Sequence, residues 1–389
     1  MPEPQPQPAP DIAARQMQIY LGAKPSVPVS LAALEAQART ALDPAAWDYV
    51  MGSAGGERTA ASNLGAFDRR PIVPRMQRNV ASRDLSIDLF ESRLPAPVLL
   101  GPVGVQGIIH PEGELPTARA AASLGLPFVL STVSSCSIEQ VAAAMQHAPR
   151  WFQLYPSRDS ALNASLLRRA EGAGYAAIVV TLDTRFVGWR ERDLDRPYLP
   201  FLQAHGLANY FTDPVFRAAL AAAPEQDPAA AVRHWATLYS NPAATWDDLR
   251  VLRSQTRLPL LLKGILHPDD ARHALDCGAD AVIVSNHGGR QVDSAIAALD
   301  ALPAVANAVA SRVPVLFDSG IRRGSDVLKA LALGARAVLL GRLYCLGLAA
   351  AGEPGVRDVV LNLLADFDVT LALSGHRSPR DLDRTALAP

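Results

Sequence analysis

From Pro95 onward, short apolar runs alternate with amphipathic helical stretches, and each run gives way to glycine or polar residues. The runs are Val98-Leu99-Leu100, Phe128-Val129-Leu130, Trp151-Phe152-Gln153-Leu154 and Ile178-Val179-Val180. After a gap come Leu260-Leu261-Leu262, Val282-Ile283-Val284, Val315-Leu316-Phe317 and Val338-Leu339-Leu340. Runs without polar alternation suit strands buried on both faces of a parallel sheet. Eight β/α units predict an α/β protein of the TIM (β/α)8 barrel type, with its site at the C-terminal strand ends. A doubly wound open sheet is the rival, and it should carry a glycine-rich dinucleotide turn after its first strand. The nearest match, Gly172-Ala173-Gly174-Tyr175-Ala176-Ala177, precedes a strand and reads as a helix C-cap. The pattern favours the barrel.

The spacing is uneven. Strand four ends near Asp183 and strand five begins near Leu258, so a lid is expected at about residues 190–245. Ser30 to Tyr49 predicts two short helices, one capped by Ser30 and one opened by Asp43-Pro44. Residues 1–29 are expected to be a partly disordered tail, because proline alternates with polar residues through Met1–Pro10. Residues 30–389 then form one barrel domain, with the stretch up to Arg93 as an accessory layer.

Composition narrows the function. A net charge of −1 gives no basic footprint for nucleic acid. Cys136, Cys277 and Cys345 lack metal-ligand spacing and read as buried thiols of a cytoplasmic protein, and no metal is expected. No secretory signal is expected at the start. Arg342 interrupts the most apolar stretch, Ala337 to Ala350, so no membrane association is expected. The chain has three lysines among its 37 basic residues, Lys24, Lys263 and Lys329. A lysine kept at the tip of an apolar strand, as Lys263 is, suggests that a compact ammonium is needed there.

The candidate chemistry sits at the strand tips. Strand one yields Pro102-Val103-Gly104, strand two Ser131, strand three Gln153 and Tyr155, strand four Thr181 and Asp183. Strand five gives Lys263. Strand six gives Ser285-Asn286-His287-Gly288-Gly289-Arg290-Gln291, strand seven Asp318-Ser319-Gly320-Ile321-Arg322, and strand eight Gly341-Arg342. A single polar residue at such a place is ordinarily a satisfied loop group, but the set describes a pocket. His287 can move a proton near neutral pH, and Arg290 offers a fork matched to a carboxylate. A base beside a carboxylate anchor is what α-proton or hydride removal from a hydroxy acid requires. Two glycine–arginine turns on adjacent strands suit a phosphate. Lys263 would face the ring end of an organic cofactor and stabilise negative charge on it. Asp183 is the natural orienter of His287, with a helix N-cap as its competing role.

These residues resemble the FMN-dependent α-hydroxy acid oxidase and dehydrogenase family over nearly the whole chain, from about Leu31. Ser285 to Gln291 matches the family signature, and Pro111-Glu112-Gly113-Glu114, Trp151 to Tyr155, Leu262-Lys263-Gly264 and Lys329 to Ala335 match further segments. The resemblance implies His287 as catalytic base backed by Asp183, and Lys263 beside the flavin. It implies Tyr49, Arg190 and Arg290 on the substrate carboxylate, and Tyr155 on the reacting hydroxyl. FMN would contact Pro102, Val103, Gly104, Ser131, Gln153, Thr181, Lys263, Ser285, Asp318, Ser319, Gly320, Ile321, Arg322, Gly341 and Arg342. It also implies a homo-oligomer, a tetramer or octamer.

Within the family the likeness runs furthest toward the lactate 2-monooxygenase branch, on Gly104, on the lid segments Asp193 to Leu202 and Leu207 to Phe216, and on Ser319. Glu191, Gly56 and Leu343 depart from that branch's pattern. The expected reaction oxidises a small L-2-hydroxy acid with dioxygen. Lactate would give acetate, CO2 and water if the lid retains the 2-oxo acid, and pyruvate with hydrogen peroxide if it does not. Val133, where glycolate oxidase has tryptophan, leaves mandelate-like acids as the alternative substrate, with electrons passing to another acceptor in a dehydrogenase. A membrane-bound dehydrogenase is disfavoured because Asp195, Arg196, His205, Asp213 and Arg217 interrupt the apolar character of the fourth loop.

Overall fold

A computed structural model describes residues 11–389. Eight parallel strands close into a barrel in sequence order, Val98–Leu100, Phe128–Ser131, Arg150–Leu154, Ile178–Thr181, Leu260–Ile265, Ala281–Val284, Val315–Phe317 and Ala337–Leu340. The last strand pairs with the first through Val338 and Val98, so the sheet has no free edge. The expected TIM barrel is therefore present.

Alternate residues of each strand point to opposite faces. Leu99, Val129, Trp151, Val179, Leu261, Ile283, Leu316 and Leu339 fill the barrel interior. Their neighbours pack outward on the helices in the main core. Patterning did not reveal the plug at the closed end. Ile87–Leu89 and Ser92–Leu94 form an antiparallel hairpin whose Ile87, Leu89 and Leu94 join the interior cluster. At three residues apiece, those strands are too short to show a period.

Gly174 has φ +73° just after the helix Ser160–Gly172, which is the left-handed helix stop expected of it. Asp43 accepts from the Ala45 N–H at 2.8 Å and opens Pro44–Met51 as expected, whereas Ser30 caps Leu31–Ala41 without a side-chain bond. Residues 11–29 are tied to the barrel domain. Arg15–Tyr20 is helical, Arg15 meets Asp358 at 2.7 Å, and Val27 is buried. The stretch Met1–Pro10, expected to be disordered, lies outside the described residues. No helix among the described residues is long and apolar enough to cross a membrane.

The long excursion after strand four is a chain of short helices, Glu191–Asp195, Pro200–Gln203, Ala208–Phe211, Pro214–Ala218 and Pro228–Tyr239. Trp246–Ser254 then returns the chain to strand five. Phe201, Tyr210, Trp235 and Tyr239 pack ring against ring, with Phe201 and Trp235 centroids 5.0 Å apart. That aromatic knot gives the excursion a core of its own.

Candidate active site

One cavity opens at the C-terminal end of the barrel. It is walled by Tyr49, Pro102, Val103, Gly104, Tyr155, Arg190, Lys263, His287, Arg290, Asp318, Ser319, Gly320, Ile321, Arg322, Gly341 and Arg342. Residues expected from almost every strand tip thus share one wall. Asp183 and Ser285 sit behind it, against Lys263 and His287. Ser131, Gln153 and Thr181 are buried at their tips without lining this cavity; Thr181 faces a neighbouring one instead.

At the heart of the site, His287 Nδ1 lies 2.9 Å from Asp183 Oδ1, and Thr184 Oγ1 donates to that same carboxylate oxygen at 3.1 Å. Asp183 is therefore an orienter, not a helix cap. Burial pushes its carboxyl up, but Lys263 and His287 outweigh burial and hold it at about 2. The sequence suggested a histidine made more basic by its carboxylate. The structure corrects this: burial, together with the charges of Lys263 and Arg190, lowers His287 by more than Asp183 raises it. The imidazole is thus kept neutral, ready to accept a proton, with Nδ1 tied back and Nε2 left for the cavity.

Lys263 is fully buried but remains charged. Burial disfavours its ammonium, while Asp318 at 3.2 Å and Asp183 at 3.9 Å more than compensate. Its Nζ also donates to Ser285 Oγ at 2.8 Å, and that hydroxyl accepts the His287 backbone N–H at 3.0 Å. Ammonium, imidazole and two carboxylates form one closed ionic unit.

The catalytic loop is held in an uncommon backbone state. His287 has φ +58°, between Asn286 and the left-handed Gly288 and Gly289. Ser319 on the next loop has φ +82°. Its hydroxyl donates to Asp318 Oδ1 at 2.8 Å and accepts from the Gly288 N–H at 2.9 Å, so it ties the two loops together. A side chain at such a φ costs about 1–3 kcal/mol and persists only where its surroundings fix it. Glycine is the natural residue at Ser319's φ, and the bridging hydroxyl is the compensation for serine.

Arg190 and Arg290 flank the Tyr49 ring, their guanidinium carbons 5.9 and 5.0 Å from its centroid. Arg290 Nη1 donates to the carbonyls of Tyr49 and Gly52, and its other nitrogens make no protein hydrogen bond. Burial and the neighbouring Arg190 lower Arg290 to about 10, as befits cations pressed together. Arg190 has Asp193 at 3.6 Å as a partial counter-charge. A carboxylate arriving between these guanidiniums would relieve the repulsion. Tyr155, buried beside Tyr239 at 5.5 Å, stays a neutral hydroxyl because burial and Asp183 raise its pKa.

Further along the same wall, the Arg322 guanidinium donates, among the described residues, only to the Ile321 carbonyl, at 3.0 Å. Arg342 differs. It donates to the carbonyls of Val50, Gly52 and Gly288 and to Ser53 Oγ, which leaves one of its five N–H groups for a ligand. Arg342 is mainly a brace, and Arg322 is the available arm.

Two further features fit a flat ligand with polar edges and an anionic end. Gln153 Nε2 and Thr181 Oγ1, at the strand tips behind the cavity wall, are buried without hydrogen-bond partners, a costly state that a polar ring edge reaching past that wall would satisfy. Sequence reasoning missed several wall residues: Val187 and Tyr239 from the excursion, Thr184 behind the histidine, and Cys345. It also gave no role to Glu114. That buried carboxylate accepts the backbone N–H groups of Gln106 at 3.0 Å, Ser135 at 3.1 Å and Cys136 at 3.0 Å, pinning the first two strand-tip loops to each other. A Glu followed by Leu-Pro reads only as a helix start, so its partners could not be foreseen.

Comparison with known proteins agrees with this geometry. A family model described as FMN-dependent dehydrogenase matches residues 38–389. An L-lactate oxidase of Lysinibacillus sphaericus (strain C3-41) is 43% identical over 351 residues, covering 90% of this chain and 90% of its own. The 2-hydroxyacid oxidase 1 of Homo sapiens is 40% identical over 353 residues, covering 90% of this chain and 94% of its own. A crystal structure of mandelate oxidase superposes with a TM-score of 0.82 at 39% identity, covering 93% of this chain and 98% of that one.

Proposed function

Because the chain belongs to the FMN-dependent dehydrogenase family, we propose that it oxidises a small L-2-hydroxy acid with dioxygen as the final acceptor. One observation carries the reading. The part-buried His287, backed by Asp183 at 2.9 Å, shares a cavity with the Arg190–Arg290 guanidiniums and the Tyr155 hydroxyl. Relatives named L-lactate oxidase and 2-hydroxyacid oxidase support the substrate class. FMN, when bound, accepts two electrons from the substrate α-carbon and passes them to dioxygen.

The residues fit that cofactor. Gln153 and Thr181 have unmet polar atoms for a ring edge, Lys263 supplies a fixed ammonium, and Arg322 with the Gly320 and Gly341 turns can hold a phosphate. Arg190 and Arg290 take the substrate carboxylate and so fix which face of the α-carbon is presented. Tyr155 hydrogen-bonds the reacting hydroxyl. His287 accepts a proton through Nε2, and Asp183 stabilises the imidazolium that results. Lys263 balances the negative charge that develops on the oxidant side.

For the outcome we favour lactate 2-monooxygenation, in which lactate and dioxygen give acetate, CO2 and water. Gly104 and Ser319 at the cavity wall and the excursion's packing over Val133 support it. In this outcome the 2-oxo acid stays in the cavity and is decarboxylated by peroxide formed beside it. The relatives named L-lactate oxidase favour the second reading, release of pyruvate and hydrogen peroxide. Product analysis of purified enzyme turning over L-lactate in air decides between them. Acetate and CO2 without accumulated peroxide uphold the first; equimolar pyruvate and peroxide establish the second. Failure of added 2-hydroxy acids to bleach the yellow enzyme anaerobically would remove both. Cytoplasmic residence and a homo-oligomer of four or eight chains complete the proposal, to be checked by fractionation and by light scattering.

A further inference from the structure

The excursion after strand four is fastened to the barrel in two different ways. Its front, Glu191–Asp195 and the turn after it, is capped by the buried Arg190, which donates to the Arg290 carbonyl and to Gln291 at 3.2 Å each, and beyond that cap it is held by ion pairs on exposed arginines. Arg192 meets Glu57 at 2.6 Å and Arg196 meets Asp48 at 2.5 Å, with those arginine side chains 41% and 50% exposed. Exposed pairs of this kind contribute little and weaken with salt.

Its back is held by a buried network centred on Asn209, which has no solvent exposure, and Arg169 reinforces it by donating to the Asn209 carbonyl at 2.7 Å and pairing with the buried Asp213 at 3.1 Å. Asn209 Nδ2 donates to the carbonyls of Ser131 at 3.1 Å and Thr132 at 3.0 Å, and Oδ1 accepts from the Ile138 N–H at 2.8 Å. Both N–H donors of the amide, and its oxygen through one accepted bond, are committed to the second strand tip and the helix after it. Beside it, the Ala208 N–H reaches the Ser134 carbonyl at 3.0 Å. Gly206, at φ +73°, lies so close to the barrel that a Cβ would stand 2.8 Å from Val105 Cγ2 and 3.1 Å from the Val133 carbonyl. Replacing such a buried network by water requires breaking all of it at once.

We propose that Asn209 is a positioning residue that docks the back of the lid permanently on the second strand tip, and that this docking sets how long the 2-oxo acid product is retained. The path is short. Val133, next to the carbonyls that Asn209 holds, walls the cavity on the barrel side, and Phe201 walls it on the lid side. Phe201 rests on Trp235, which also meets Tyr210, the residue after Asn209. Only the front of the lid opens for exchange, and the back stays as a fixed wall. This rests on the hydroxy-acid reading above and explains how the site would favour decarboxylation over release.

The test uses the FMN-loaded full chain and two variants. Asn209→Asp keeps the size and the acceptor for Ile138 but sets a carboxylate oxygen against two carbonyls. Gly206→Ala loosens the same contact without touching Asn209. Three quantities are read: hydrogen exchange of residues 190–198 against 207–213, the anaerobic rate of pyruvate loss from the reduced enzyme, and the anaerobic rate of flavin reduction by lactate. In the wild type, 207–213 exchange far more slowly than 190–198. In the variants, pyruvate leaves faster by about tenfold, the expectation for losing one or two buried hydrogen bonds, while reduction keeps its wild-type rate. Equal exchange at both ends of the wild-type lid, or unchanged pyruvate loss in a variant whose 207–213 amides have loosened, overturns the proposal. A fall in reduction that tracks the change in release also overturns it, since that marks general damage. If Asn209→Asp does not fold, Gly206→Ala decides. A wild type that yields only pyruvate and peroxide removes the monooxygenase assignment, whereas the release rates still judge Asn209.

Discussion

The two ends of the cavity treat charge in opposite ways. Around Lys263 the protein supplies its own counter-ions: Asp318 at 3.2 Å, Asp183 at 3.9 Å, and His287 closing on Asp183 at 2.9 Å. No carboxylate lies within 4 Å of the guanidinium groups of Arg290, Arg322 and Arg342 among the described residues. Burial lowers all three guanidiniums; Arg190 lowers Arg290 further, and Arg290, Arg322 and Arg190 lower Arg342 further. Buried cations left without internal partners mark where a ligand brings the missing charge. The compensated end is built to hold a proton acceptor steady whether or not ligand is present. The uncompensated end is built to be completed.

The sharpest way to break this contrast is at the compensated end. His287→Ala should lower anaerobic flavin reduction by about 10²–10⁴-fold, the usual contribution of a positioned base. The protein should remain yellow, because His287 does not carry the anionic end of the cofactor. Rapid reduction in that variant would transfer the base role elsewhere.

The next effect separates Arg322 from Arg342. Arg322→Ala should weaken FMN binding by about ten- to a hundredfold, the equivalent of one charge-assisted hydrogen bond of about 1.5–3 kcal/mol. It should do so with little change in the melting temperature of the cofactor-free protein. Arg342→Ala should also lower that melting temperature, because it severs bonds to Val50, Gly52, Ser53 and Gly288. FMN titration by fluorescence quenching, beside thermal melts without FMN, distinguishes the arm from the brace.

A smaller effect concerns pH. His287 lies below its ordinary value of 6.5, so the neutral, proton-accepting form persists as pH falls to that value and reduction declines only below it. Asp183→Asn removes a carboxylate that raises His287, so this acid limb should move further down while the maximal rate falls through lost orientation. Stopped-flow reduction across pH reads both changes. An acid limb that moves up would refute the assigned balance between burial and Asp183.

The smallest effect is expected at Ser319. Ser319→Gly removes the strain of φ +82° but also the bridge between Asp318 and the His287 loop. These oppose each other at about 1 kcal/mol apiece, so stability should change little. Reduction should slow modestly as the loop loosens. A clear gain in both would mean that the bridge contributes nothing.

Much of this site was legible before any coordinates. Continuous apolar runs announced strands buried on both faces, and a barrel gathers the residue after each run at one end. That is why His287, Arg290, Lys263, Asp318, Arg322 and Arg342 could be grouped although scattered over 80 positions of sequence. Less legible was what each group does once gathered. Arg342 and Arg322 follow the same glycine–arginine pattern, yet one is spent on carbonyls and the other is available. The lowered basicity of His287 also escaped, since a carboxylate neighbour predicts one sign and burial delivers the other.

Periodicity and strand-end residue types are local properties, so the chain's linear order was enough to specify a closed parallel barrel and the side chains at its mouth. Hydrogen-bond saturation, net electrostatic balance and wall composition depend on groups far apart in the chain. Asn209 meeting Ser131 and Thr132, Glu114 gathering three amides, and Phe201 facing Val133 all depend on folding. Such contacts arise from how loops pack over a rigid rim, and no spacing rule encodes them.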